Sequence, residues 1–151
     1  MLCENWHRPH RCKISAWKGV VLMVKFEDVE VQFHSMPQTK FDIPEGLERE
    51  WLLTAVTDYE LNVGIDLGYD PETGEFSGDV DKLVVRTLAQ MMYVSYLQRE
   101  LSRVMALNGI YGKDVTLTGQ DATKRVTKQE LDDQISRVES LLHRQKTPAY
   151  H

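Results

Sequence analysis

Four residues near the start of the chain, Cys3, His7, His10 and Cys12, are each competent zinc ligands. Their spacing, C-x3-H-x2-H-x-C, is far tighter than that of zinc fingers. A loop that short hardly places four ligands tetrahedrally around one ion, so the bland reading is an adventitious Cys/His-rich terminus and no metal site is expected. The acids Asp66, Asp70, Glu72 and Asp79 suggest calcium, but the EF-hand order of ligands, glycine and closing glutamate is absent. Gly112-Lys113 has only a superficial likeness to a phosphate loop. That motif follows its lysine with Ser or Thr between a strand and a helix, whereas Asp114 follows here, after a helical pattern. Tyr93 and Tyr96, with Arg99 and Arg103 one to two turns on, have the makings of a base-stacking and phosphate-binding face. In a chain of net charge -5 the competing reading, a helix margin whose aromatic and arginine stems cover a protein partner, is the better one. His34 reads as a surface or packing histidine. No H-E-x-x-H, G-x-S-x-G, dinucleotide fingerprint or C-x-x-C occurs, so the chain is expected not to be an enzyme and to need no cofactor.

The element that must position these side chains is the segment 81–109, DKLVVRTLAQMMYVSYLQRELSRVMALNG. Leu83, Val84, Leu88, Met91, Met92, Leu97, Leu101, Val104 and Met105 recur at three- and four-residue steps, with Lys82, Arg86, Arg99, Glu100 and Arg103 between them. Asp79 or Asp81 can cap its start, and Asn108-Gly109 predicts its end. Some 28 residues at ~1.5 Å each make a rod of about 40 Å, longer than a compact domain of this size covers. Part of the rod is therefore expected to meet another chain.

Around it, residues 1–22 read as an N-terminal arm, 23–145 as a helical domain and 146–151 as a tail that is either frayed or docked on a partner. Met23 is a candidate natural start. Within 20–33, Val24 and Phe26, then Val29, Val31 and Phe33, alternate with polar residues and shift phase across Asp28, which predicts a bulged strand or two short ones. A second helix is expected over about 43–62, opened by Asp42-Ile43-Pro44-Glu45 and presenting Leu47, Trp51, Leu52, Ala55, Val56 and Tyr59 on one face. Asp70-Pro71-Glu72-Thr73-Gly74 predicts a turn in a small hairpin. Thr127-Lys128-Gln129-Glu130 reads as a capping box that opens a last helix, with Leu131, Ile135, Val138, Leu141 and Leu142 as its apolar stripe, lying antiparallel on the long one. Lys124 and Arg125 then fall in the connector before it. The fold class is mainly α: a bundle of about three helices with one long central helix, a short N-terminal strand or hairpin, and extended terminal arms.

Length and charge bound the rest. The chain has 151 residues, ordinarily one domain, and its 42% apolar and 27% charged residues are globular composition. No apolar run approaches the ~20 residues of a membrane span and no secretory block opens the sequence, so a cytosolic protein is expected. Charge is segregated: 27–81 carries fifteen acids against Lys40 and Arg49, while 1–26 and 82–151 each carry a net +4. Such an acidic middle is either solvated surface or one of two unlike faces that meet when copies associate head to tail.

The run 88–146 contains Y-L-x-R-E, L-x-G-I-x-G-K-D, L-T-G, K-R and L-L-H-x-Q-K, read from Tyr96 onward. In these strings it resembles the C-terminal half of small head-tail connector (neck, adaptor) proteins of tailed bacteriophages. Agreement is densest between Tyr96 and Arg125, extends more weakly through Glu48 to Tyr69, and covers about two thirds of the chain; the arm matches nothing. The resemblance implies a virion structural protein made in the host cytoplasm. Its copies would form a ring, expected to be dodecameric, between the portal protein and the next neck or tail-completion protein, with packaged DNA passing through without specific binding and no membrane contact. On that reading Tyr96, Arg99, Arg103, Lys113, Lys124, Arg125, Lys146 and Tyr150 face protein. Arg99 and Arg103 are expected to meet carboxylates of the acidic 27–81 region, within the fold or across subunits. Acids among Asp58, Glu60, Asp66, Asp70, Glu72, Glu75 and Asp79 are expected to face the DNA channel, because a negative wall keeps the duplex mobile. The rival reading is a small regulatory protein of phage or bacterial origin that binds nucleic acid through Lys113, Lys124, Arg125, Lys128 and the Tyr96/Arg99/Arg103 face. A third is a zinc-dependent interaction module built on the arm.

Overall fold

The computed structural model describes residues 23–40, 42–44, 46–110 and 118–146, with backbone alone for 107–110 and 118–121. The arm, with Cys3, His7, His10 and Cys12, lies outside them, as do Lys113 and Tyr150. Among the described residues the order is α1 (Phe26–His34), α2 (Leu47–Val63), β1 (Tyr69–Asp70), β2 (Glu75–Phe76), α3 (Lys82–Ile110) and α4 (Thr118–Gln145). The mainly helical expectation holds, but four helices replace three.

The first correction is at the N-terminal side. Residues expected to form a strand make α1, preceded only by a single antiparallel bridge from Lys25 to Glu75. The apparent phase shift across Asp28 is a helical period: Phe26, Val29 and Phe33 are buried on one face, whereas Val31 is 73% exposed. Asp28 supplies the start signal, its Oδ2 accepting the Lys25 backbone N–H at 2.9 Å. Alternation of β-branched residues gave way to the gain from burying Phe26 and Phe33 in the core.

α2 begins later than its proline suggests. The Leu47 amide donates to the Pro44 carbonyl at 3.1 Å, and Gly46 at φ 86° makes the turn into the helix. From there Leu52, Ala55, Val56 and Tyr59 are buried as expected, and Gly64 at φ 78° closes the helix. The hairpin forms as predicted, Tyr69 opposite Phe76 and Asp70 opposite Glu75. Its Gly74 stands at φ 72° with its amide donating to the Asp70 carbonyl at 2.8 Å and its own carbonyl accepting from the Phe26 amide at 2.7 Å. A Cβ there would come within 3.3 Å of Phe26 Cβ. Gly74→Ala is therefore expected to cost about 1 kcal/mol or more, read as a lower midpoint in urea unfolding.

α3 is the spine. Asp81 Oδ1 accepts the Val84 amide at 2.8 Å, which fixes its start. The expected end at Asn108-Gly109 is not used, since the helix runs through to Ile110. α4 starts at Thr118, nine residues before the capping box, so Lys124, Arg125 and Thr127 are helical and not part of a connector. Thr127 donates its hydroxyl to the Thr123 carbonyl at 2.9 Å, a mid-helix bond, because nothing in 118–126 forbids helix and α3 offers it a surface. The two helices are antiparallel: Gln145, at the end of α4, donates to Thr87 Oγ1 at 2.8 Å near the start of α3. Tyr59 on α2 donates to Gln145 Oε1 at 2.9 Å, tying a third helix to the same place. α1 and α2 pack on the N-terminal two thirds of α3, where Leu88, Ala89 and Met92 are fully buried.

Candidate interaction surface

Past Glu100 on α3 and before Leu131 on α4, the described residues include no buried side chain. Val104, Lys124, Thr127 and Glu130 are half-buried, while Met105 is 50% and Val126 66% exposed. Among the described residues these stretches form a two-helix stalk with no third layer over it. A cleft of about 410 Å³ sits at its base, between the loop at 37–39 and the α3/α4 pair.

Tyr96, expected at an interface, lies in the core at 2% exposure. Its hydroxyl accepts the Thr39 amide at 2.7 Å and donates to Thr39 Oγ1 at 3.1 Å. Tyr93 stacks on it at 5.7 Å and donates to the Pro37 carbonyl at 2.8 Å; burial, then the nearby Glu130 carboxylate, pushes its phenol above the usual range. The two tyrosines are thus anchors for the 35–40 loop, and their faces are spent on each other and on Phe33 and Trp51.

Arg99 and Arg103 do share a face, and among the described residues both stand against Glu100 of their own helix. Arg103 Nη2 donates to Glu100 Oε2 at 2.7 Å, and Arg99 Nη1 stands 3.9 Å from Oε1. Glu100, only 5% exposed, draws both guanidiniums inward at the base of the stalk. Lys124 and Arg125 lie on the stalk itself, and Lys146 is exposed just past α4.

Asp58 and Glu60 lie on the last two turns of α2, and the other acids of the set lie in the α2–α3 link. Asp58, Asp66, Asp70, Glu72 and Asp79 are exposed. Two of the set have structural work: Glu60 Oε1 accepts the Leu67 amide at 2.9 Å, and Glu75 pairs with Lys25 Nζ at 2.8 Å. Asp66 and Asp70 also cap turns, accepting the Gly68 amide at 2.8 Å and the Glu72 amide at 2.9 Å. The Glu72 amide, then the Thr73 hydroxyl, holds the Asp70 carboxyl below its usual range.

No family model, curated protein or solved structure matches the chain. No helix among the described residues is long and apolar enough to cross a membrane.

Sequence reasoning missed one grouping. Glu30 and His34 on α1 and Glu48 on α2 converge, with His34 Nε2 3.3 Å from Glu48 Oε2. Burial, then hydrogen bonding with Glu48, raises the Glu30 carboxyl above its usual range. The signal E-x-x-x-H is present in the sequence, but it places both side chains on one helical face only once 26–34 is recognised as helix.

Proposed function

We propose that the chain is a structural subunit of a ring at the neck of a tailed bacteriophage, joining the portal to the next neck or tail-completion protein. The observation that carries this reading is the bare two-helix stalk, whose Met105 and Val126 are exposed with no element of the same chain over them among the described residues. The described parts of the family-like strings, 96–110 and 118–119, fall on this stalk and at its base, and Leu61 at 78% exposure adds apolar surface at the other end of the chain's packed body. Heterologous contacts between unlike surfaces close into a ring where the rotation between copies closes, and a dodecamer is the size that the family resemblance implies. The exposed acids Asp58, Asp66, Asp70, Glu72 and Asp79 are proposed to line the DNA path, with Glu60 and Glu75 contributing charge while held by internal partners. Arg99, Arg103, Lys124, Arg125 and Lys146 are proposed to face protein, as are Lys113 and Tyr150. The nucleic-acid reading loses its stacking platform, because Tyr93 and Tyr96 are buried against each other.

Light scattering and negative-stain images of the purified chain with its portal are the test. Rings on the portal are expected for the native sequence. Met105→Glu/Val126→Glu is expected to abolish them while leaving the thermal midpoint within about 2 °C, because charges on exposed positions cost the monomer little. A monodisperse monomer that never joins the portal would sink the proposal.

A further inference from the structure

Glu30 and His34 stand one turn apart on α1, and Glu48 lies in the first turn of α2. One ligand atom from each lies within 4.8 Å of the others, and His34 Nε2 is 3.9 Å from Glu30 Oε1 and 3.3 Å from Glu48 Oε2. Two ligands at about 2.0–2.2 Å from one ion stand about 3.0–3.5 Å apart, so the three need contract by only about an ångström to enclose a metal.

The surroundings favour a cation. Two carboxylates face one centre, with Glu27 beside them, and a concavity of about 360 Å³ opens next to Glu30 and Glu48, leaving room for water as a further ligand. Arg49 also lines it, but its guanidinium lies over the Phe26 ring at 5.0 Å. His34 is the last residue of α1, where the helix dipole favours positive charge, and Glu48 in the first turn of α2 sets a carboxylate against the opposite dipole of that helix. His34 is oriented by an edge contact with Phe33, ring centres 5.2 Å apart. The imidazole nitrogen discriminates further: calcium and magnesium prefer all-oxygen sets, whereas mixed nitrogen and oxygen ligands suit first-row transition metals.

We propose that Glu30, His34 and Glu48 form a three-ligand site for a divalent first-row transition cation, clipping the end of α1 to the start of α2. It stands independently of the ring reading, since none of its residues lies on the stalk or in the acidic link.

Zinc is the probe, and the arm's own thiols and imidazoles must be silenced first. The full-length chain carrying Cys3→Ser, His7→Ala, His10→Ala and Cys12→Ser is expected to take one equivalent of zinc from a chromogenic chelator. Its thermal midpoint should rise with zinc and not with magnesium. Cobalt in place of zinc should give ligand-field absorption with no sulfur charge-transfer band. In that background His34→Ala, Glu30→Gln and Glu48→Gln are each expected to weaken uptake by more than about tenfold, since even outer-shell changes cost that much. All three positions are at or near the surface, and the glutamine variants keep shape, so their zinc-free midpoints serve as the control for folding. Absence of uptake by the arm-substituted chain would overturn the site, as would uptake that these variants leave within roughly twofold.

Discussion

Phe33→Ala is expected to lower the unfolding free energy by about 3–5 kcal/mol, while Val31→Ala, two residues away, changes it by less than about 0.5 kcal/mol. The Phe33 ring is fully buried, in edge contact with Trp51 at 6.1 Å and Tyr96 at 6.3 Å. Removing it deletes the hub between α1, α2 and α3 and leaves a cavity that three helices would have to collapse to fill. In a chain of this size the loss corresponds to roughly 10 °C in thermal midpoint. The pair also discriminates between conformations. On a strand, residues 31 and 33 share a face and both substitutions would be costly; on α1 only Phe33 points inward. Paired denaturation curves for the two variants read the answer directly, and equal losses would contradict the helix.

Gln134→Leu is expected to destabilise by about 1–3 kcal/mol, and adding Gln90→Leu is expected to recover most of that loss. The Gln90 side-chain amide donates to Gln134 Oε1, and Gln134 Nε2 donates to Glu130 Oε1 at 2.6 Å. Both glutamines are buried, 5% and 7% exposed, at the seam of α3 and α4. A leucine at 134 alone strands the Gln90 amide without an acceptor in a dry seam, whereas leucine at both positions removes donor and acceptor together. Stability from a double-mutant cycle, measured by urea unfolding, should show a coupling of about 1–3 kcal/mol; simple additivity would mean water reaches the seam. The double variant should keep its register, because Gln145 still donates to Thr87 Oγ1 at 2.8 Å across the same two helices.

What the sequence made legible was whatever repeated over a long stretch. α3 was readable because some nine apolar positions keep one period, and the face of α2 because Leu52, Ala55, Val56 and Tyr59 do the same. The hairpin was readable from Asp70, Pro71 and Gly74, whose conformational preferences are local. α1 was not, because nine residues are too few to separate a helical from an alternating period when Val and Phe fit both. The start of α4 was not, because a capping-box sequence inside a helix that tertiary contacts extend is simply unused. At the interaction surface, the length of α3 pointed to a stretch that no other described element covers, but the fate of Tyr96 depended on the 35–40 loop folding back over it. Nothing local to Tyr96 encodes that contact, which spans 57 residues of sequence. The Glu30/His34/Glu48 grouping was hidden for both reasons at once: it needs α1 as a helix and α2 beside it.

The stalk also acts mechanically as a lever. Its fulcrum is the level of Glu100 and Leu131, where buried side chains end among the described residues, and its arm on α3 is the ten residues 101–110, about 15 Å long. Two helices braced against each other resist bending, so a tilt turns about this level, where Leu97 and Leu131 are buried at the seam and the ion pairs of Glu100 with Arg103 and Arg99 stay within α3. A tilt of about 10° carries the tip of such an arm through about 2.6 Å. In the proposed ring, with opposed subunits tilting together, the circle traced by the tips would widen or narrow by about 5 Å, an adjustable aperture obtained without repacking any core residue.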